Sequence, residues 1–218
     1  FFTLRLPEME VVRKETGNSF FHDLLVGLKF AWRTEAIMGS ITLDLLVVLF
    51  GSVIALLPAF AKDVLHVGQS GLGFLRAAQF MGSAMIALVL TAYPPTKYGG
   101  RNLLIAVGGF SLCMIAFSFS TNFYLSLSIL ILSGVFDGVS VVIRSTIIQL
   151  FTPDDMRGRV AAVNSIFIKS SNEIGDFESG LAAQCLGLQN AVLFGGLFSL
   201  SVVFIVLLFF RKIRNLTI

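Results

Sequence analysis

Apolar residues fall along this chain in long stretches separated by short polar breaks. Leu43 to Leu57, apart from Asp44, and Leu197 to Phe210 are nearly continuous apolar runs. Crossing about 30 Å of hydrocarbon at a rise of 1.5 Å per residue takes about 20 residues of helix. Six segments reach that length, over about 36–60, 74–93, 103–120, 123–151, 160–184 and 190–210. The breaks are well marked. Lys62-Asp63 through Gly73 separates the first two spans, with Gly68 to Gly73 read as a flexible turn. Tyr93 to Arg101, rich in Pro and Gly, precedes the third. Ser120-Thr121-Asn122 is a tight turn, Thr152 to Arg159 separates the fourth and fifth spans, and Gly187 to Asn190 the last pair. A membrane barrel would instead show segments of about ten residues with alternating polarity. The expectation is an all-α membrane protein of six transmembrane helices.

Lysine and arginine set the orientation. Arg5, Arg13, Lys14, Lys29 and Arg33 precede the first span, and Lys97 and Arg101 follow the second. Arg157 and Arg159 follow the fourth, and Arg211, Lys212 and Arg214 the sixth. The opposite loops hold only Lys62. Basic loops stay cytoplasmic, so both ends of the segment are expected there. Three parts follow: a cytoplasmic linker over 1–35, a six-helix transmembrane domain over 36–210, and a basic cytoplasmic tail over 211–218. The chain opens on Phe1 with a mixed, charged stretch and not a signal peptide, and reads as a piece of a longer protein. Within the linker, Phe21, Leu24, Leu25, Leu28 and Trp32 recur at helical spacing, with Ser19 as a cap. This predicts an amphipathic helix, either lying on the inner membrane surface or packed on the protein.

Composition agrees. Apolar residues make up 56% and charged residues 13%, against about 25% charged in soluble domains, and mean hydropathy is +0.87. That excludes a water-soluble enzyme, a disordered chain and a fibrous repeat. The net charge of +3 belongs to cytoplasmic loops and implies no nucleic acid partner. Cys113 and Cys185 have no CxxC spacing or neighbouring histidine and read as buried hydrophobes, so no metal or other cofactor is expected. No HExxH, GxSxG or Walker motif occurs, so no enzyme is expected. His66 reads as a surface histidine, and Arg76 as snorkelling to the outer headgroups.

Charges at membrane depth cost about 2.5–3.5 kcal/mol each on insertion scales, which makes them candidates for function. On the fifth span Ser165, Lys169, Asn172, Glu173, Asp176 and Ser179 fall within an arc of about 120° at 100° per residue. Such a stripe must line water, a ligand or a polar interior. Lys169 and Glu173 are spaced to form an ion pair, and Asp176 adds a second carboxylate. Burial and a like charge favour a protonated carboxylate while a lysine favours the ionised one, so the group suits proton exchange. On the fourth span Ser133, Gly134, Asp137, Ser140 and Arg144 share a face. Asp137 and Arg144 lie about 10 Å apart along the axis, so each is expected to meet a partner on another helix. Gly134 and Gly138 permit close helix contact. Asp44 lies about 12 Å from the cytoplasmic end of the first span. Glu173, Asp176 and Asp44 are the proton-coupling candidates. Asp137, Arg144, Lys169, Asn172, Ser165 and Ser140 form the candidate cavity and charge network. Structural ion pairs locking the bundle are the competing explanation.

The arrangement resembles the C-terminal six-helix half of a twelve-helix major facilitator superfamily transporter. Gly100-Arg101 matches the end of that family's loop between its eighth and ninth helices, and Pro153 with Arg157-Gly158-Arg159 the loop between the tenth and eleventh. The segments Leu43-Asp44-Leu45, Ala55 to Pro58, Gly71 to Ala78, Asp137 to Arg144 and Thr152 to Asn164 are together similar to the secretion-effector branch, which includes the enterobactin exporter. The family's loop carries an Asp where this chain has Lys97, which departs from its pattern. The resemblance implies a bacterial inner-membrane efflux protein that couples proton entry to export of a small amphiphilic molecule such as a siderophore or drug. It also implies a missing N-terminal half and phenylalanine-rich cavity walls in a lipid bilayer. A membrane receptor, scaffold or assembly subunit of the same fold is the alternative.

Overall fold

The computed structural model describes residues 20–93 and 98–209. Residues 1–19 of the predicted linker over 1–35, with the predicted cap Ser19, the predicted tail over 211–218 and Lys97 lie outside the described residues. Among the described residues eight α-helices follow one another: α1 (Phe20–Arg33), α2 (Glu35–Gly51), α3 (Leu57–Asp63), α4 (Gln69–Ala92), α5 (Gly99–Ser118), α6 (Phe123–Phe151), α7 (Arg157–Leu186) and α8 (Leu188–Phe209). A 3-10 turn, Ile54–Leu56, joins α2 to α3. Among the described residues there is no strand.

Several boundaries differ from the sequence reading. The first span is not continuous: Ser52 takes an extended conformation, and the chain re-enters a helix with Pro58 in the first turn of α3. A proline there loses no helical hydrogen bond, whereas inside a single long helix it would clash with the carbonyl four residues back. The stretch from Gln69 to Gly73, expected as a flexible turn, is the first turn of α4. The turn is confined to residues 64–68, where His66 is exposed with φ 52°. The turn before α6 is closed as expected: Asn122 Oδ1 accepts from the amides of Tyr124 (2.9 Å) and Leu125 (3.2 Å).

The helices form two groups of three in chain order, α2–α3 with α4 and α5, then α6 with α7 and α8. Each group is built around the leading helix of the other. Helix α6 packs on α4 and α5, α2 packs on α7 and α8, and α5 meets α8 between them. Because the chain reverses with each helix, the two groups run in opposite directions, the signature of an inverted repeat. Phe60 and Phe117, both fully buried with ring centroids 4.6 Å apart, anchor the main core. Leu57, Leu75, Met114 and Leu130 surround them. A second cluster, Ala31, Ile37, Ile41, Ile148 and Val160, ties α1 to the neighbouring ends of α2, α6 and α7.

In a membrane the close approach of helices depends on small residues, because lipid tails compete equally for apolar surface. The Gly134–Gly138 spacing meets that expectation. A side chain at Gly134 would run into the carbonyl of Gln79 on α4, and Ser83 donates to the Gly134 carbonyl at 2.8 Å. Helix α7 uses Gly175 in the same way, against the backbone of Val48 and Leu49 on α2. Ser179 donates to the Ser52 carbonyl at 3.3 Å.

Candidate functional site

Five of the spans, Glu35–Asp63, α4, α5, α6 and α8, are long and apolar enough to cross a membrane. Helix α7 is long enough at 30 residues, but its polar stripe lowers its hydropathy. Its buried positions are Val160, Val163, Ser171, Gly175 and Ser179, on the sides applied to α1, α2 and α8. Ser165, Lys169, Asn172 and Glu173 are exposed, and Asp176 is half-buried. Ser179, at the edge of the predicted stripe, is instead taken up by packing on α2. The rest of the stripe is presented outwards from the six-helix unit. Beside it Ile166, Ile174, Phe177 and Leu181 are exposed as well, so α7 carries a polar and an apolar outer face side by side.

Lys169 and Glu173 do not form an ion pair in this structure, although their spacing allows one. The ion pair within the bundle is elsewhere. Arg144 on α6 pairs with Asp44 on α2, with the two side chains only 7% and 13% exposed. Depth arithmetic is consistent with it. Asp44 lies about 12 Å from one end of the first span, and Arg144, seven residues before the end of α6, lies about 10 Å from the same side. The sequence reading gave a depth for Asp44 alone and did not join the two charges. The match in depth was the available signal.

Asp137 lies two turns away from Arg144 towards the other side. It is half-buried and, among the described residues, has no ion-pair partner, contrary to the expectation that both charges on this face would find one. Ser140 is buried between them on the same face. Asp137 stands about 21 Å from the end of α6, and Glu173 about 24 Å from the start of α7, which lies at the same end of the bundle. The charges are therefore arranged in two levels, a closed ion pair at one level and, at the other, carboxylates that have no ion-pair partner among the described residues.

At the loop between α6 and α7, Arg157 pairs with Asp154 at 3.0 Å on the exposed surface. Arg159 reaches Asp23 on α1 at 2.9 Å. Gly27 of α1 sits against the Arg159 backbone, where no side chain fits. The amphipathic helix is thus packed on the protein through Asp23, Gly27 and Ala31. Packing on the protein was one of the two alternatives read from the sequence, but these contacts were not. At the other loop Gly100 is buried in the first turn of α5, and Arg101 is exposed. Cys113 is buried as expected, whereas Cys185, near the end of α7, is exposed. Among the described residues no cluster of His, Cys, Asp or Glu could hold a metal.

Membrane-spanning helices in inverted triplets, with an uncovered polar helix, define one half of a major facilitator fold. The profile of the transmembrane secretion effector family matches residues 5–216. The chain belongs to this family, a branch of the major facilitator superfamily, and is an integral membrane protein of a transport family. It is similar to the enterobactin exporter EntS of Escherichia coli O1:K1 / APEC, with 29% identity over 137 residues, 63% of this chain and 33% of the relative. Similarity to the enterobactin exporter EntS of Shigella boydii serotype 18 has the same extent. The aligned part of the chain spans about a third of the length of these curated relatives. No solved structure matches the chain.

Proposed function

We propose that this chain is the C-terminal half of a secondary exporter in a bacterial cytoplasmic membrane, with both ends of the segment cytoplasmic. In this reading it expels a small amphiphilic molecule by proton coupling. The outward-facing stripe of α7 carries the reading. Lys169, Asn172, Glu173 and Asp176 cannot face lipid without large cost, so a second six-helix half must enclose them around a wet pathway. Alternating access then consists of one half rocking against the other about that pathway. The EntS relatives are named for an enterobactin-exporting activity, which makes a siderophore-like amphiphile the first substrate to try.

In the coupling scheme, a carboxylate on the stripe takes a proton from the outer side and releases it inside. Glu173 is the first candidate, Asp176 the second and Asp44 the third. Asp44 ranks last because Arg144 already compensates its charge. The test is transport by the full-length protein in proteoliposomes, with and without a pH gradient. Glu173→Gln is expected to keep folding and substrate binding but lose gradient-driven transport. Normal transport against a gradient by both Glu173→Gln and Asp176→Asn would remove α7 from the coupling role.

A further inference from the structure

Helix α1 has three faces. Asp23, Gly27 and Ala31 are spent on α7 and α2. Phe21, Leu25, Leu28 and Trp32 fall within an arc of about 60° at 100° per residue. Three of these are strongly exposed, Phe21 at 74%, Leu25 at 64% and Trp32 at 64%. His22, Lys29 and Arg33 form a basic flank about 100° around from that row and are exposed too. An apolar row with a tryptophan at its end and a basic flank is the composition of a helix embedded at a membrane surface.

The row leads into a groove. Between the first half of α2 and the last turns of α8 lies a cavity of about 1120 Å³, open on one side. Trp32 and Arg33 stand at its mouth, and Met38, Thr42, Leu46 and Ile205 line its walls. Glu35 also lines the groove beside Arg33, and Lys29, one turn earlier on α1, lines an adjoining hollow that shares Trp32 and Arg33 with it. The volume exceeds the usual small-molecule pocket of about 300–1,000 Å³. A long apolar ligand with an anionic end matches both its walls and its mouth.

We propose that this groove is a binding site for an anionic phospholipid of the cytoplasmic leaflet. The acyl chains lie between α2 and α8, and the headgroup sits on Lys29 and Arg33. The choice of leaflet rests on the orientation proposed above, and the site itself does not. Through Gly27 and the Asp23–Arg159 pair, the lipid-bound helix is joined to the start of α7, the helix that carries the polar stripe.

The test is lipid retention by the purified full-length protein, taken from nanodiscs containing equal phosphatidylglycerol and phosphatidylethanolamine and measured by native mass spectrometry. Each basic side chain near an anionic headgroup is worth about fivefold in binding. With Glu35 offsetting one of the two positive charges, retention of phosphatidylglycerol is therefore expected to exceed that of phosphatidylethanolamine by about fivefold. Lys29→Gln with Arg33→Gln is expected to abolish the preference while leaving the melting temperature unchanged. Thr42→Trp, which fills the groove, is expected to remove the retained lipid. Equal retention of the two lipids by the unaltered protein overturns the proposal whatever the variants do. So does a preference that survives both variants. Lipid retained only after deletion of residues 210–218 would assign the groove to the chain's own end, and would overturn it too. None of these readouts depends on transport, so failure here is separate from failure of the exporter reading.

Discussion

Arg144 of α6 and Asp44 of α2 form a buried ion pair between the leading helices of the two inverted triplets. A buried pair contributes little net stability compared with an apolar pair of the same shape, but losing one member leaves an uncompensated charge. Arg144→Leu or Asp44→Leu alone is expected to cost about 3–5 kcal/mol. Combining Asp44→Leu with Arg144→Leu should recover most of that loss. Thermal unfolding of the four proteins in detergent, analysed as a double-mutant cycle, checks it. Additive losses would show that the two charges act separately.

The close crossings make a second prediction. Gly134→Leu is expected to destabilise strongly, because its side chain would enter the space of the Gln79 backbone on α4. Gly175→Leu should do the same between α7 and α2, against Leu49. Gly180→Ala is the control: nothing lies within 4 Å of the added atom, so helix propensity alone operates. Alanine there should be neutral or stabilising by up to about 1 kcal/mol. Melting temperatures of the three variants decide the matter.

A third prediction concerns which side of α7 meets water. With Cys113 and Cys185 replaced by serine or alanine, single cysteines at Ser165, Lys169, Asn172 and Glu173 should react with a polar thiol reagent in the full-length protein. Cysteines at Ile174 and Leu181 should react far more slowly, because lipid or the partner half covers an apolar face. Uniform labelling around the helix would mean that α7 is not lining a pathway.

The tie between α1 and α7 is partly exposed, with Arg159 and Asp23 side chains 28% and 31% accessible. Pairs of that kind are worth about 0.2–1 kcal/mol. Arg159→Gln should therefore leave global stability nearly unchanged. Gly27→Leu, which pushes α1 off the Arg159 backbone, should release the helix and speed proteolysis within residues 20–33. Limited proteolysis of the two variants beside the unaltered protein distinguishes the backbone contact from the ion pair.

The chain written as residues alone determined the helical class, the turns before α6, α7 and α8, and the polar face of α7. Those follow from short-range rules, the length of hydrocarbon to be crossed and the 100° turn per residue. It also placed Gly134 and Gly138 correctly as a contact site, since small residues at that spacing have one common use in membranes. It misjudged the first span, where Ser52 breaks the helix ahead of Pro58 within an apolar run that gives no warning in hydropathy. Only the tertiary structure decided which charges meet. Asp44 and Arg144 are a hundred residues apart in sequence, and their pairing depends on how α2 rotates against α6, which periodicity along either helix leaves open. For the same reason Asp137, on the same face as Arg144, was expected to find an ionic partner and did not, while Asp23 found Arg159 unforeseen. Facing directions between helices come from packing small residues against distant backbone, and a sequence read one helix at a time does not contain them.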